Sequence, residues 1–336
     1  MQKNLPFYIL TLLILNFQLL IINSLSAQTV TNVTAVQEGK AIKISYDLDK
    51  AADVSVFVST NGGFAFVELH EVSGAVGENV KEGHNEIVWN VLGERENLIF
   101  DNVVFKIKAK SLVPECPTFV SDYDGNSYKT VLIGTQCWMK ENLRTTHYAD
   151  GTSISLGNTN TTSTTAAYRY YPNNNSSNFA TYGYLYNWKA VMGNSTSSNS
   201  NPSGVQGICP NGWHVPSDAE WTQLTDYVGS KSEYVCGNNN NYIAKALAAT
   251  TGWNSCPLSC AVGSNQRANN ATGFGALPAG TPYGGYYDFG RFASFWSATQ
   301  YDSDSANGLH LDYGSADVNR YYDYKDDGYS VRCLHD

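Results

Sequence analysis

The positions of the seven cysteines constrain this 336-residue chain more than any other sequence feature. All of them lie beyond residue 115, at Cys116, Cys137, Cys209, Cys236, Cys256, Cys260 and Cys333. No pair has the C-x-x-C spacing of a metal or redox motif, and Cys256 and Cys260 lack the second half of a zinc site. Because seven is odd, one thiol has no partner within the chain. The cysteine-free part and the cysteine-containing part must therefore be stabilised differently.

The N-terminus has the three parts of a secretory signal peptide in the expected order. Lys3 supplies a positive charge, apolar residues dominate positions 9–22, and small residues precede a cleavage point after Ala27. An uncleaved membrane anchor is the less favoured alternative, because polar residues such as Asn16 interrupt the apolar run. We predict a signal peptide at 1–27, export from a bacterium to the cell surface or medium, and no integral membrane segment after cleavage.

Export makes disulfides the expected state of the cysteines, because secreted proteins fold in an oxidising compartment. We expect the pairs Cys116–Cys137 and Cys209–Cys333. Cys236 is expected to pair with either Cys256 or Cys260.

The charge balance restricts the class of partner. The net charge is −9, from 30 acidic and 21 basic residues, and no block of Lys or Arg stands out. This composition argues against a nucleic acid or an anionic membrane as the partner. Cations, neutral glycans and proteins remain as candidates.

Residues 29–112 have the period-two alternation of short antiparallel strands. The clearest runs lie at 41–46, 54–58, 86–89 and 103–108. Turn signals at Asn61-Gly62-Gly63 and Glu82-Gly83 separate them. The pattern predicts an all-β, immunoglobulin-like or fibronectin-like sandwich. We expect it to act as a spacer and assign it no chemistry.

Residues 116–336 are rich in Gly, Asn, Ser, Tyr and Trp, and local patterns predict an α+β domain rich in loops. One helix is expected over 182–192. Another follows Pro216, where Ser217 and Glu220 form a capping box. Short strands are expected at 128–133, 274–278, 294–298, 308–313 and 330–334. Exposed polar loops are expected at 156–166, 173–178 and 194–201.

Several motifs in a fixed order give this second domain a family resemblance. They are DYDGNSY at 122–128, GTQCWMKENL at 134–143, YGYLYNW at 182–188, CPNGWHVPSDAEW at 209–221, GFGALPAG at 273–280, FWSAT at 295–299 and SVRC at 330–333. In this order they resemble the Fibrobacter succinogenes major paralogous domain, a family of exported bacterial proteins of poorly defined function. The resemblance covers about 116–335.

Through that family the domain is similar to the C-type-lectin-like fold, including its formylglycine-generating-enzyme branch. The resemblance implies two helices packed on small sheets, with long variable loops that present ligands. Two departures limit what it implies. The calcium-binding tripeptides of sugar-binding C-type lectins are absent, and only Cys333 lies where the oxidase branch has a copper-binding cysteine pair. Neither activity is therefore carried over.

Two oxygen-rich loops are candidate calcium sites. They contain Asp122, Asp124 and Asn126 in one loop, and Asp302, Asp304 and Asn307 in the other. The first loop resembles the first half of an EF-hand loop. It lacks the closing Glu, because position 133 is Ile133, so an Asp-Gly turn between two strands is the favoured alternative. Calcium is the one cofactor that the sequence suggests.

Tyrosines crowd the C-terminal stretch. They are Tyr283, Tyr286, Tyr287, Tyr301, Tyr313, Tyr321, Tyr322, Tyr324 and Tyr329. Tyrosine among small polar residues is typical of binding surfaces, although packing in the core is the alternative for about half of these rings. We predict a ligand-binding surface made of Trp296, Tyr301, Asp302, Asp304, Asn307, Tyr313 and Tyr321.

No catalytic motif is visible: the chain lacks G-x-S-x-G, H-E-x-x-H, a P-loop and a dinucleotide glycine pattern. His214 is expected to be buried and bonded to the backbone. We predict a non-catalytic exported binding protein whose ligand is an extracellular glycan or, as second choice, a protein. The alternatives are a structural or adhesive surface scaffold and, less favoured, a glycan-active enzyme with carboxylates distant in sequence.

Overall fold

The computed structural model describes residues 30–94, 102–112, 115–158, 160–281 and 288–336. The predicted signal peptide and the tyrosines at 283, 286 and 287 lie outside the described residues. The protein is predominantly β, with 36% strand and 12% helix. It divides into two compact units, Met1–Glu115 and Cys116–Asp336. Among the described residues, no helix combines the length and the hydrophobicity that a membrane span requires.

The first unit is an antiparallel β-structure of two sheets. Its elements are β1 (Val30–Glu38), β2 (Ala41–Leu48), β3 (Ala52–Ser59), β4 (Val67–Glu68), β5 (Val72–Gly74), β6 (Gly77–Val80), β7 (Gly83–Asn90), the single turn α1 (Val91–Glu94) and β8 (Val104–Ser111). One sheet has the order β1-β2-β7-β5. In the other, β3 pairs with β8 and with the shorter β4 and β6.

The alternation seen in the sequence produces the core of this unit. Over most of β2 and β3 and the end of β7, alternate residues are buried, namely Ile44, Tyr46, Leu48, Ala52, Val54, Val56, Val58, Ile87 and Trp89. Successive side chains of a strand point to opposite faces, so such a strand gives one face to the core and the other to solvent. The all-β prediction for this unit agrees with the structure.

Among its described residues, the second unit contains eleven strands, four α-helices and two short 3-10 helices, Pro172–Asn174 and Gln266–Ala268. The strands are β9 (Phe119–Ser121), β10 (Ser127–Ile133), β11 (Gln136–Met139), β12 (Ser155–Leu156), β13 (Tyr168–Tyr170), β14 (Leu185–Tyr186), β15 (Trp213–His214), β16 (Phe292–Gln300), β17 (Ser305–Asp312), β18 (Val318–Tyr324) and β19 (Leu334–His335). The helices are α2 (Phe179–Tyr182), α3 (Trp188–Met192), α4 (Asp218–Gly229) and α5 (Ala244–Leu247). The sheet orders are β15-β19-β11-β10-β9, β12-β13-β14 and β16-β17-β18.

Helix α4 begins where the capping box predicts. The Ser217 hydroxyl accepts from the Glu220 N–H at 3.2 Å, and a Glu220 carboxylate oxygen accepts from the Ser217 N–H at 2.8 Å. These bonds satisfy N–H groups that the first turn of a helix leaves free. The buried face of α4 packs Trp221 on Trp138, with ring centroids 4.5 Å apart. Helix α4 therefore belongs to the core cluster that also contains Phe295 of β16 and Leu309 of β17.

The helix predicted over 182–192 is wrong. Gly183 ends α2 with φ +75°, and β14 intervenes before α3 starts at Trp188. A Cβ at Gly183 would lie 2.6 Å from the Leu143 carbonyl oxygen, so the chain passes too close to Leu143 for a helix to continue. The strand predicted at 274–278 is a single bridge at Ala276, and the one at 330–334 shortens to β19.

Three disulfides tie the second unit together. They join Cys116 to Cys137, Cys209 to Cys333, and Cys236 to Cys260, and the Cys256 thiol is free. These are the expected pairs, with Cys260 as the partner of Cys236.

Arg332 is fully buried and lies just before β19, in the segment where a longer strand was predicted. Its guanidinium donates to the Asn142 side chain at 2.7 Å and to the carbonyls of Met139, Phe274 and Gly275 at 2.6–3.0 Å. Burial lowers its pKa to about 9. This one side chain therefore joins three segments of the unit.

Candidate functional site

Three exposed tyrosines cluster on one face of the β16-β17-β18 sheet. Tyr322 and Tyr324 alternate along β18 and therefore share a face. Tyr301, just after β16, stacks on Tyr322 with centroids 3.9 Å apart and planes 3° from parallel. Their exposed fractions are 57% for Tyr301, 56% for Tyr322 and 66% for Tyr324. We call these three residues the tyrosine face.

The turn that carries Tyr301 is closed by Asp302. One oxygen of its carboxylate accepts from the N–H groups of Asp304 at 2.9 Å and Ser305 at 2.7 Å. The hydrogen bond from the Asp304 backbone lowers the pKa of Asp302, with Ser305 and Lys325 adding to the effect. Asp302 is therefore largely used by the turn itself.

Lys325, which the sequence analysis did not single out, is hydrogen-bonded to the same turn. Its buried ammonium donates to the carbonyls of Asp302 at 2.8 Å and Ser303 at 2.7 Å and to the Gln300 side chain at 3.0 Å. It also lies 4.9 Å from the centre of the Trp188 ring. Burial lowers the pKa of Lys325, while Asp302 and Asp304 oppose that shift. The hydrogen bonds of Lys325 therefore hold the turn next to Tyr301 in place before any ligand binds.

The structure brings only part of the predicted surface together. Asp302 and Asp304 are exposed beside Tyr301, and Asn307 lies opposite Tyr322 in the sheet register. Tyr313 is at the other end of β17, half-buried and 5.3 Å from the Arg291 guanidinium. Tyr321 is exposed on the opposite face of β18, 5.7 Å from the His310 ring.

Trp296 does not belong to this surface, which corrects the sequence-based assignment. It is 1% exposed, its indole N–H donates to the Tyr186 carbonyl at 2.7 Å, and its ring packs on Tyr329 at 4.5 Å. Strand β16 is buried on both of its faces from Ala293 to Thr299, and Trp296 packs into the core cluster that includes Tyr186 and Tyr329.

The opposite face of the sheet carries a Ser–His–Asp series. The Ser294 hydroxyl is 2.9 Å from His310 Nδ1, and the Asp323 carboxylate is 3.0 Å from His310 Nε2. Ser294 is only 4% exposed, so a substrate atom has no access to its hydroxyl. Nearby, burial and the carboxylates of Asp323 and Asp326 raise the pKa of Asp327 to about 7. Within the described residues, only the Ser294–His310 contact of this trio has hydrogen-bond geometry, and the His310–Asp323 approach does not. The trio therefore lacks both a continuous hydrogen-bonded series and an accessible nucleophile.

The candidate cation loop at 122–126 already has its oxygens occupied. Asp122 accepts from the Asn126 backbone N–H at 2.9 Å and from the Tyr128 hydroxyl at 2.5 Å. Asp124 accepts from Thr145 and pairs with the His147 ring at 2.5 Å. In the part of the chain that the structure describes, no group of three His, Cys, Asp or Glu side chains could hold a metal. The geometry favours the turn over a cation loop.

His214 is buried, as expected, but its partners are carboxylates and not the backbone. Its Nε2 lies 2.8 Å from Glu220 and its Nδ1 2.6 Å from Asp336. Burial alone would lower the pKa of His214, but the bonds to Glu220 and Asp336 outweigh it and raise the pKa above its ordinary value. Glu220 therefore serves both the helix cap and this histidine.

Comparison with known proteins shows the family to which the second unit is related. The model of the Fibrobacter succinogenes major domain matches residues 131–335, more than half of the chain. No curated protein and no solved structure matches the chain significantly. The matched range includes α4, Arg332, two of the three disulfides in full and the tyrosine face. The chain therefore belongs to the Fibrobacter succinogenes major domain family.

Proposed function

We propose that this is an exported, non-catalytic binding protein whose tyrosine face binds an extracellular glycan. The observation that carries the proposal is the Tyr301–Tyr322 pair, two parallel rings that are each more than half exposed. Lys325 and Asp302 hold the turn beneath this pair.

Exposed and fixed aromatic rings favour recognition for a physical reason. A tyrosine ring offers a large apolar area with a polar tip, and little side-chain entropy is lost when a rigid ring binds. The Lys325 bonds remove most of the remaining freedom of the turn before a ligand arrives, which lowers the entropic cost of association. A pre-organised flat surface suits a flat ligand.

The surroundings of the rings favour sugars over nucleic-acid bases. Both classes of ligand stack on aromatic side chains, but a nucleic acid also needs positive charge along its phosphates. Beside Tyr301 the exposed charged residues are Asp302 and Asp304. Carboxylate oxygens accept hydrogen bonds from sugar hydroxyls. A neutral glycan therefore fits the chemistry of this surface.

A structural scaffold would hold its tyrosines dispersed and buried. Of the tyrosines predicted to be important, Tyr329 is buried and Tyr313 half-buried, whereas those of the tyrosine face and Tyr321 are all more than half exposed. The clustering of the three residues of the tyrosine face supports binding over a purely structural role.

Two further parts of the proposal concern fold and location. We propose a C-type-lectin-like fold for the second unit, supported by the α4 start at 216–221 and by the closing segment that Cys209–Cys333 ties down. An experimental structure superposed on that fold would test it. We propose export with cleavage after Ala27, with which the three disulfides are compatible. N-terminal sequencing of the protein from culture medium and cell surface would test it.

A glycan and polysaccharide array tests the binding function directly. The purified chain is probed with calcium and with EDTA, beside Tyr301→Ala/Tyr322→Ala and Tyr301→Phe/Tyr322→Phe. Tyr123→Ala is a matched control, because Tyr123 is 59% exposed but lies outside the tyrosine face. We expect specific signals that the double Ala variant loses and the Phe variant and the control keep. A blank array, or signals unchanged in the double Ala variant, would refute glycan binding by this face.

A further inference from the structure

A polar groove lies beside the tyrosine face in the second unit. It has a volume of about 630 Å³ and is formed by the last turns of α4, the segment 240–243 and the start of β18. This size is within the range of small-molecule sites in proteins, roughly 300–1,000 Å³. No residue of the predicted ligand-binding surface lines it.

The walls of the groove carry hydrogen-bonding groups that the protein does not use. Within the described residues, the side chains of Asn240, Asn241, Asp226 and Asp317, all of which line the groove, make no hydrogen bond to the protein. Amides both donate and accept, and carboxylates accept. Such a mixture matches a ligand whose hydroxyls both donate and accept, as the hydroxyls of sugars do.

One wall of the groove is connected to the neighbouring segments. The Cys236–Cys260 disulfide and the bond from the Cys236 N–H to the Tyr242 carbonyl, at 3.0 Å, hold the 240–243 wall. Gly229 of α4 lies so close to this wall that an added Cβ would be 2.7 Å from the Asn240 carbonyl oxygen. The Ala244 N–H, bonded to the Ala316 carbonyl at 3.0 Å, joins the wall to the approach of β18.

The groove and the tyrosine face lie on one side of the same strand. Val318 and Arg320 line the groove, and Tyr322 is the next residue on that face of β18. From Val318 to Tyr322 the strand rises about 13 Å, more than one sugar ring can span. Between them Arg320 is held by Asp218 and Thr222. Its buried Nε has no hydrogen-bond partner among the residues that the structure describes.

We infer that the groove and the tyrosine face form one extended site for a linear polysaccharide, with several sugar units bound along β18. The inference rests on the proposed glycan-binding function and adds that the ligand is an internal stretch of a chain rather than a terminal sugar. A peptide fits less well, because the apolar residues in the groove, Ile243 and Val318, also pack against the core and form no deep pocket for an anchor side chain.

Titration calorimetry with oligosaccharide ladders tests this inference. The probes are β-1,4-linked oligomers of glucose, mannose, xylose and N-acetylglucosamine, from dimer to hexamer. The variant Asp226→Ala/Asn241→Ala removes groups from the groove. Glu233→Ala is its control, because Glu233 is an exposed carboxylate that does not line the groove. Thermal melting establishes that each variant is folded.

We expect the affinity of the wild type to rise from dimer to hexamer. The groove variant should bind the hexamer about tenfold more weakly, as expected for the loss of one or two hydrogen bonds, and the dimer as tightly as the wild type does. Tyr301→Ala/Tyr322→Ala should weaken binding of every length.

The outcomes separate the two proposals. A groove variant that binds the hexamer normally, while the tyrosine variant does not, would overturn the extended site and leave the proposed function intact. Loss in the groove variant alone would overturn the role of the tyrosine face and, with it, the single extended site. Absence of binding to every ladder would overturn both.

Discussion

The two units of the chain reach a folded state by different means. In the first unit, which is cysteine-free and built from antiparallel strands paired in long ladders, alternation supplies the buried face. In the second unit, contacts join residues far apart in sequence. The Gln136 amide donates to a carbonyl 84 residues away, and Arg332 to a side chain 190 residues away. Distant anchors of this kind allow long segments without regular secondary structure between them.

The largest expected effect comes from removing the longest covalent connection. Cys209→Ala/Cys333→Ala opens a loop of 124 residues, which in the chain-entropy model costs about 5 kcal/mol of unfolding free energy. Differential scanning calorimetry should show the transition of the second unit falling steeply while that of the first is unchanged.

Cys236→Ala/Cys260→Ala is the control, because it opens only 24 residues and should cost about 3 kcal/mol. Equal losses in the two double variants, or a shift in the first unit, would contradict the distinction between the units.

A slightly smaller loss of unfolding free energy is expected when a stacked indole ring is removed. Trp221 is fully buried against Trp138, so Trp221→Ala should destabilise the second unit by about 3–5 kcal/mol. Trp89→Ala, the counterpart in the first unit, should lower only the transition of that unit. Urea unfolding followed by circular dichroism measures both. A single shared shift would mean that the units do not unfold separately.

The role of the buried Arg332 in stability can be tested with a substitution that keeps its positive charge. Arg332→Lys should cost about 2–3 kcal/mol, because a lysine cannot reach all the acceptors that Arg332 now bonds and some would stay buried without a donor. Lys43→Arg, on the surface of the first unit, is the control and should be nearly neutral. A lysine variant as stable as the wild type would show that the geometry of the arginine is unimportant.

The smallest effect is a dependence on pH that belongs to the second unit. The raised pKa of buried His214, produced by Glu220 and Asp336 against the effect of burial, means that the folded state binds the proton more tightly than the unfolded chain. Its contribution to stability is therefore complete below the ordinary pKa of 6.5 and is lost as the pH rises through the folded value.

His214→Gln should remove this contribution. The difference in unfolding free energy between wild type and variant, measured by urea titrations across neutral pH, should shrink as the pH rises. A constant difference would indicate that the pKa of His214 is the same in the folded and unfolded chain, and a difference that grows as the pH rises would indicate that the folded protein keeps the histidine neutral.

What could be predicted from the sequence follows the same division. The strands of the first unit and the start of α4 depend on neighbouring residues, and there the predictions agree with the structure. The prediction of a helix over 182–192 is wrong because the backbone at Gly183 passes close to the Leu143 carbonyl, a contact that no local pattern reveals. The pairing of Tyr301 with Tyr322 required the register of β17 and β18, and Lys325 was missed because its partners are mostly main-chain carbonyls.

The way Lys325 holds its turn has a consequence for how this surface can change in evolution. Two of its three ammonium acceptors are main-chain oxygens, of Asp302 and Ser303, and the Asp304 carbonyl accepts from the Lys325 N–H at 2.8 Å. Main-chain oxygens persist whatever side chain a residue carries. Substitutions at positions 303 and 304 can therefore alter what the turn offers to a ligand while its frame is inherited unchanged. The lysine would then keep the turn in place while the side chains exposed on it change.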